Sequence, residues 1–283
     1  MIKMMNQSAI LNFRKWTRDL RIFGLLFFLF CSIHHQTDGM AQEARAMGTA
    51  VNALSVFPIM YNNRVMIGRI IMQAGILVLF CDAPFLANNQ KGLMIRTKRK
   101  AFCMGQMLYI IYASIVYTAF LTILSCLTCI SNMGVSANWG SYIESAVAGR
   151  NNKIIGNLYV CTTLVKQYSA IQAFVLQIIL FILGAIFLGL FIYYLNLRFG
   201  SQVGLVGAGL LVGIGDIPVF FPYMEWINWI SPIGMMQLQF SRLETGTKFP
   251  SVGYSVGALL FLIILLEILI WKKFKKIDIN FNL

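Results

Sequence analysis

Long apolar stretches alternate with short polar ones along the 283-residue chain. Leu176–Leu195, LQIILFILGAIFLGLFIYYL, shows neither the period-two alternation of a strand nor a polar face at helical spacing. A hydrocarbon layer about 30 Å thick takes roughly 20 apolar residues per helix. Six stretches approach that length: roughly Leu20–His35, Val65–Cys81, Phe102–Ile130, Ala170–Asn196, Gln202–Asp216 and Val252–Trp271. The first has a short apolar core, and Pro218 limits the fifth, because proline cannot continue a helical ladder without loss. The pattern predicts an all-α integral membrane protein with six transmembrane helices. A β-barrel is excluded, since its strands alternate in pieces of about 10 residues.

Two further elements complete the expected architecture. Ahead of the first span, Ala9, Phe13, Trp16 and Leu20 recur at helical spacing, while Arg14, Lys15, Arg18 and Arg21 fall mostly elsewhere. Residues 1–21 therefore read as a basic amphipathic helix lying in the membrane surface. The rival is a signal peptide with the apolar core Ile22–Ile33 and Ala44-Arg45-Ala46 as its cleavage site. Its charged region is too long and its cut too far downstream. Between the fifth and sixth spans, Ile217–Arg242 is too broken by Pro218, Pro222 and Pro232 to cross, and too aromatic for an ordinary loop. It reads as an outer re-entrant or interfacial helical hairpin with Trp226 and Trp229 at headgroup depth; a plain aromatic belt is the alternative.

Charge orients this frame. The chain is 58% hydrophobic and 12% charged, with a formal net charge of +13, against roughly 25% charged residues in soluble domains. On a soluble protein that excess would point to nucleic acid. Here no base-stacking module accompanies it, so no nucleic-acid partner is expected. Lys and Arg gather instead on the cytoplasmic side of membrane proteins. With the amino terminus inside, the inner pieces carry Lys3, Arg14, Lys15, Arg18 and Arg21, then Lys91, Arg96, Lys98, Arg99 and Lys100, then Arg198, and finally Lys272, Lys273, Lys275 and Lys276. The longer outer pieces carry Arg45, Arg64, Arg69, Arg150, Lys153, Lys166, Arg242 and Lys248. The expectation is a multi-pass plasma-membrane protein with both termini cytoplasmic and a polar outer loop, Ser131–Ser169, bearing Trp139 and Tyr142. A seventh span at Ile154–Ala170 is interrupted by Lys166 and would put the WKKFKK tail outside.

Catalytic constellations are missing. His34 and His35 are adjacent and point different ways on a helix. Cys126 and Cys129 share a helix face with no His or acid beside them, and read as small packing residues. The six cysteines show no disulfide framework. No H-E-x-x-H, G-x-S-x-G or Walker phosphate loop occurs. The chain is therefore not read as an enzyme, and no metal or cofactor of its own is expected. Asp82, Asp216 and Glu267 sit near span ends, which leaves an ion-coupled secondary carrier as one rival reading. A membrane immunity or binding protein that moves nothing is another. Gly200, Gly204, Gly207, Gly209, Gly213 and Gly215 line the fifth span, for packing within the subunit or against a second copy.

The basic insert Cys81–Phe102 separates the second and third spans. Asp82 ahead of Ala83-Pro84-Phe85 reads as the cap of a helix beginning there. Leu93, Met94 and Ile95 then form a short apolar ridge flanked by Lys91, Arg96, Lys98, Arg99 and Lys100. Positive-inside anchoring explains the charge but not the ridge. Ridge and charges together suit docking of a cytoplasmic partner.

The run LFCDAPFL, then IRTKRKAFCMGQMLY, and later SPIGMMQL, resembles the permease subunits of ABC transporters of the type-2 exporter class. It is most similar to Gram-positive permeases that export antimicrobial or toxic peptides, including phenol-soluble modulins. The resemblance implies a permease working with separate ABC ATPase subunits, which would hold ATP and Mg, and with a second permease copy, for an amphipathic peptide cargo. It implies that Asp82, Ala83, Pro84 and Phe85 open a coupling helix, and that Lys91, Leu93, Met94, Ile95, Arg96, Thr97 and Lys98 contact the ATPase. Phe13, Trp16, Leu20 and Arg21 would belong to a connecting helix, and Phe220, Phe221, Tyr223, Trp226 and Trp229 to an outer gate.

Overall fold

The computed structural model describes residues 2–16, 18–63, 67–85, 99–148, 154–200, 202–243 and 248–275. They form an all-α bundle with two small two-stranded sheets. Five helical stretches are long and apolar enough to cross a membrane: Leu20–Ala46, Ala101–Leu127, Ala170–Phe199, Val203–Phe220 and Val252–Phe274. A shorter apolar helix, Ile67–Phe80, lies between the first two.

Among the described residues the α-helices in chain order are α1 (Ile2–Trp16), α2 (Leu20–Thr37), α3 (Met40–Ala46), α4 (Ala53–Tyr61), α5 (Ile67–Phe80) and α6 (Arg99–Leu127). They continue as α7 (Ser141–Ala148), α8 (Thr162–Gln167), α9 (Ala170–Phe199), α10 (Val203–Phe220), α11 (Pro232–Met235) and α12 (Val252–Lys275). Two boundaries correct the sequence reading. The first helix stops at Trp16, so Leu20 is not part of its apolar stripe; it opens α2 and is 85% exposed. Pro218 does not end the fifth stretch, because α10 runs on to Phe220 with the proline inside.

Helices α2, α5, α6, α9, α10 and α12 run up and down. The contacts Arg21–Asp82, Phe102–Phe274 and Asn196–Ala83 mark one end. The contacts Asn157–His35, Arg69–Asp216 and Tyr168–Ser241 mark the other. The first is called the platform end below, and the second the cap end. Central α9 packs on α4, α5, α6, α10 and α12. Its start is set by a capping box: Ser169 Oγ accepts from the Gln172 backbone N–H, and Gln172 Oε1 accepts from that of Ser169. Such a cap contributes about 1 kcal/mol.

The described residues of the stretch read as a polar outer loop carry secondary structure. Strand β1 (Val51–Asn52) pairs in parallel with β2 (Met133–Gly134), and β3 (Ile154–Ile155) pairs antiparallel with β4 (Leu158–Tyr159). The Asn52 side chain donates to Ser136 O and Asn138 O while its Oδ1 caps α4 at the Leu54 N–H. Trp139 Nε1 donates to Tyr168 O, and the Tyr142 hydroxyl donates to Glu43 Oε2 at 2.9 Å. Burial, and then the Glu43 carboxylate, push the Tyr142 phenol above its ordinary range. Helix α4, buried at every position but Leu54, inserts from this cap between α6 and α9.

After α10 the chain makes a 3-10 turn at Pro222–Trp229 and then turns inward. Ser231–Gln237 and Ser241 are buried. Two glycines admit this segment. A Cβ on Gly215 would collide with Ile233, and one on Gly184 would collide with Met236.

Candidate functional site

At the platform end, the amphipathic helix and the head of the basic insert meet on one tyrosine. Helix α1 lies along the first part of α6, burying Ala9 and Asn12. Asn12 Nδ2 donates to Gln106 Oε1 at 2.8 Å, and Trp16 Nε1 donates to the Tyr109 hydroxyl at 2.7 Å. The Tyr109 ring takes Phe13 edge-on from α1 at 5.2 Å and Phe85 from the insert at 4.9 Å. Phe85 has φ +56°, a conformation that costs a non-glycine residue about 1–3 kcal/mol and persists only where surroundings impose it. The Tyr109 contact is one such constraint. Between α1 and the insert lies a cleft of about 50 Å³.

The polar rim of the cleft is an ion triad. Arg21 Nη2 lies 2.8 Å from Asp19 Oδ2 and 2.6 Å from Asp82 Oδ2. Asp82 thus spends its carboxylate on the α1–α2 corner, a partner that the helix-cap reading did not foresee. Asp19 Oδ1 also caps α2 by accepting from the Arg21 N–H. The Arg21 hydrogen bond holds the Asp19 carboxyl below its ordinary value. With Arg21 and Asp82 both 57% exposed, their pair contributes at most about 1 kcal/mol. Asn196 supplies the firmer tie. Its Nδ2 donates to Cys81 O and Ala83 O, and its Oδ1 accepts from Gly204 N–H, joining the insert to the α9–α10 corner.

At the cap end a different set of polar groups is buried. Arg69, counted as an outer-loop charge from sequence, lies inside α5 with no exposure; its partner Asp216 is 3% exposed. Arg69 Nε donates to Asp216 Oδ1 at 3.0 Å, and Gln237 Nε2 donates to the same oxygen at 3.1 Å. Gln237 Oε1 accepts from Gln239 Nε2, and Gln239 N–H donates to Asn62 Oδ1. Asn62 Nδ2 donates to Gln177 Oε1 at 2.7 Å, and Gln177 Nε2 donates to Met236 O. Asp216 Oδ2 is buried without a hydrogen bond.

The remaining expected residues fall as follows. Lys91, Leu93, Met94, Ile95, Arg96, Thr97 and Lys98 lie outside the described residues. Phe220, Phe221, Tyr223 and Trp226 are exposed. Trp229 donates to Lys248 O and packs against Tyr254. Glu267 is partly buried on α12. The glycines of α10 divide: Gly204, Gly207 and Gly215 face neighbours within the chain, whereas Gly209 and Gly213 face open space. A groove of about 320 Å³ between α6 and α9 is lined by Ile115, Thr118, Ala119, Thr122, Ile123, Ile178 and Ile182. The Thr118 and Thr122 hydroxyls turn back onto their own helix, so the groove is almost wholly carbon-lined and suits lipid. All six cysteines are free, and among the described residues no group of three or more His, Cys, Asp or Glu could hold a metal ion.

Sequence reasoning missed Tyr109, Asn196, Arg69, Gln177 and Gln237. Polar side chains inside apolar runs were the available signal for Asn196 and Gln177, because such groups are costly in hydrocarbon and are retained for a purpose. No family model, no curated protein and no solved structure matches this chain.

Proposed function

We propose that this chain is the transmembrane permease subunit of an ATP-driven exporter of the ABC type. The observation carrying the reading is the platform: the α1–α2 corner and the head of the basic insert share Tyr109 and Arg21, and Asn196 ties the insert to the α9–α10 corner. A push on the insert would then reach α1, α2, α5 and the α9–α10 corner together. In this reading ATP and Mg belong to a separate ATPase subunit, since the chain carries no Walker phosphate loop.

In this reading the chain crosses the plasma membrane six times with both termini cytoplasmic. Helix α5 supplies the sixth crossing; its 14 residues span about 21 Å, short of the hydrocarbon thickness. The 3-10 turn and segment 231–241 form the outer re-entrant hairpin, with its exposed aromatics at the outer surface. A second copy, or a related permease, completes the path, and an amphipathic peptide is the cargo. ATPase closure drives the opening as a rigid-body switch biased by nucleotide.

The test is purification of the tagged chain in mild detergent from its own host. Recovery of an ABC ATPase at about one per permease supports the reading, and an acidic pair at Arg96 and Lys98 should then abolish that association while leaving insertion intact. A folded, abundant preparation without an ATPase sinks it. The buried carboxylate of Asp216 favours a second reading, an ion-coupled carrier, which transport following a proton gradient without ATP would establish.

A further inference from the structure

The buried polar groups of the cap end form a line between two sets of elements. On one side stand Asp216 of α10 and the segment carrying Met236, Gln237 and Gln239. On the other stand Arg69 of α5, Asn62 after α4, and Gln177 of α9. The bonds crossing the line include Arg69 to Asp216, Gln239 N–H to Asn62, and Gln177 to Met236 O, with the Tyr168 hydroxyl, just ahead of α9, donating to Ser241 O at its edge.

Such a seam is poor glue. A buried ion pair is often no more stabilising than apolar side chains of the same volume, because desolvation offsets the attraction. Its distinguishing property shows when the two sides part. Charged and amide groups recover their hydration in entering water, whereas apolar groups lose by it. A polar seam through an apolar bundle is therefore the line along which water enters at least cost. Asp216 Oδ2 has no protein hydrogen-bond partner to lose as the sides part and can accept from water there.

We infer that this seam is where the cap end opens: α10 and the segment Ser231–Ser241 move together away from α5 and α9, parting Arg69 from Asp216. The inference rests on the packing alone and does not need the exporter reading; its test uses no ATPase.

The test reads thiol exposure in the full-length chain in detergent. A Ser231→Cys reporter is placed on the segment, where Ser231 is buried, and its reaction with a water-soluble maleimide is timed by mass spectrometry. Replacing both charges by apolar side chains, Arg69→Met with Asp216→Leu, is expected to slow labelling at least fivefold, because opening then exposes carbon. Any smaller slowing, or an acceleration, overturns the inference. Asp216→Asn alone leaves Arg69 without a counter-charge and is expected to speed labelling at least fivefold; an unchanged rate in folded protein also counts against it. Should that variant fail to fold, the apolar pair decides. Native Cys103, buried near the platform end, is timed in the same spectra. Its rate is expected to stay within twofold of the parent. A parallel slowing there means general stabilisation and overturns the seam.

Discussion

Replacing Gly215 by alanine sets two effects of similar size against each other. Alanine in a helix interior is favoured over glycine by about 1 kcal/mol. Against that, a Cβ at Gly215 would overlap Ile233, with Ile233 Cγ2 2.7 Å away and Ser231 Oγ 2.9 Å away. Ile233 is fully buried and branched at Cβ, so it has no free rotamer to retreat into. The whole segment has to back away, and overpacking of this kind costs about 1–3 kcal/mol. The net expectation for Gly215→Ala is a loss of about 0–2 kcal/mol. Gly215→Val keeps little of the helical gain and adds bulk, so its loss is about 1–3 kcal/mol. Gly209 and Gly213, on the same helix, provide the control. A Cβ on either meets nothing within 4 Å, so alanine there should be neutral or stabilising by up to about 1 kcal/mol.

The sign of the effect should therefore reverse within six residues of one helix. Thermal unfolding in detergent, followed by a fluorogenic maleimide reacting with the buried thiols of Cys103 and Cys129, reads this directly. At about 2–4 °C per kcal/mol for chains of this order of size, Gly215→Val should melt several degrees below the parent. Gly209→Ala and Gly213→Ala should melt at or above it. A Gly215→Val variant as stable as the parent would mean that the inward segment is not seated on α10. Alanine at Gly209 destabilising as much as at Gly215 would mean that the open face of α10 is occupied.

Two further substitutions test the ends of the bundle separately. Tyr109→Phe keeps the ring against Phe13 and Phe85 but leaves the Trp16 indole N–H without its acceptor. About 0.5–1.5 kcal/mol of docking is lost, and limited trypsin digestion at Arg14 and Arg18 should quicken several-fold while the rest of the chain stays resistant; unchanged cleavage would show that the bond does not hold α1. At the cap end, burial pushes the Tyr168 phenol up to about 12 from an ordinary value of about 10, and its hydroxyl donates to Ser241 O at 2.9 Å. A raised folded-state value means that the contribution is complete below pH 10 and fades as the pH climbs through 12. Tyr168→Phe should therefore flatten the alkaline fall in melting temperature between those values, and an identical fall in both proteins would contradict that assignment.

What the sequence discloses about this molecule depends on how local each determinant is. Apolar runs around Leu176–Leu195 disclose helices because the cost of backbone groups in hydrocarbon is set by the run itself. The stripe Ala9, Phe13 and Trp16 discloses a helix face, but not the Tyr109 it rests on, 93 residues from Trp16. The cap stayed hidden for a related reason. Its strands are two residues long, below any readable alternation, and its fixed points are Asn52 and Glu43 reaching across from another part of the chain. Arg69 was misplaced because a cation at the start of a span looks like a loop charge, and its counter-charge is 147 residues away. Leu20 was misplaced because the helical spacing carries straight through a corner that only Asp19, as the cap of α2, reveals.

The two polar centres are joined by two helices, and this gives their separation a consequence. Helix α5 runs from Arg69 to the turn that holds Asp82, and α10 runs from Gly204, bonded to Asn196, up to Asp216. Gly204 and Asp216 are twelve residues apart, about 18 Å along the axis, so a tilt of roughly 8° about the Asn196 contact moves Asp216 by about 2.5 Å. That displacement is enough to break hydrogen bonds of 3.0 Å and admit water. The platform itself would barely deform, because its ties to Asn196 lie at the pivot and its exposed Arg21–Asp82 pair adjusts at little cost. Separation of the buried charges at the cap end therefore needs only a small tilt of α10 about its platform contact, a motion that leaves the ties of the basic insert in place.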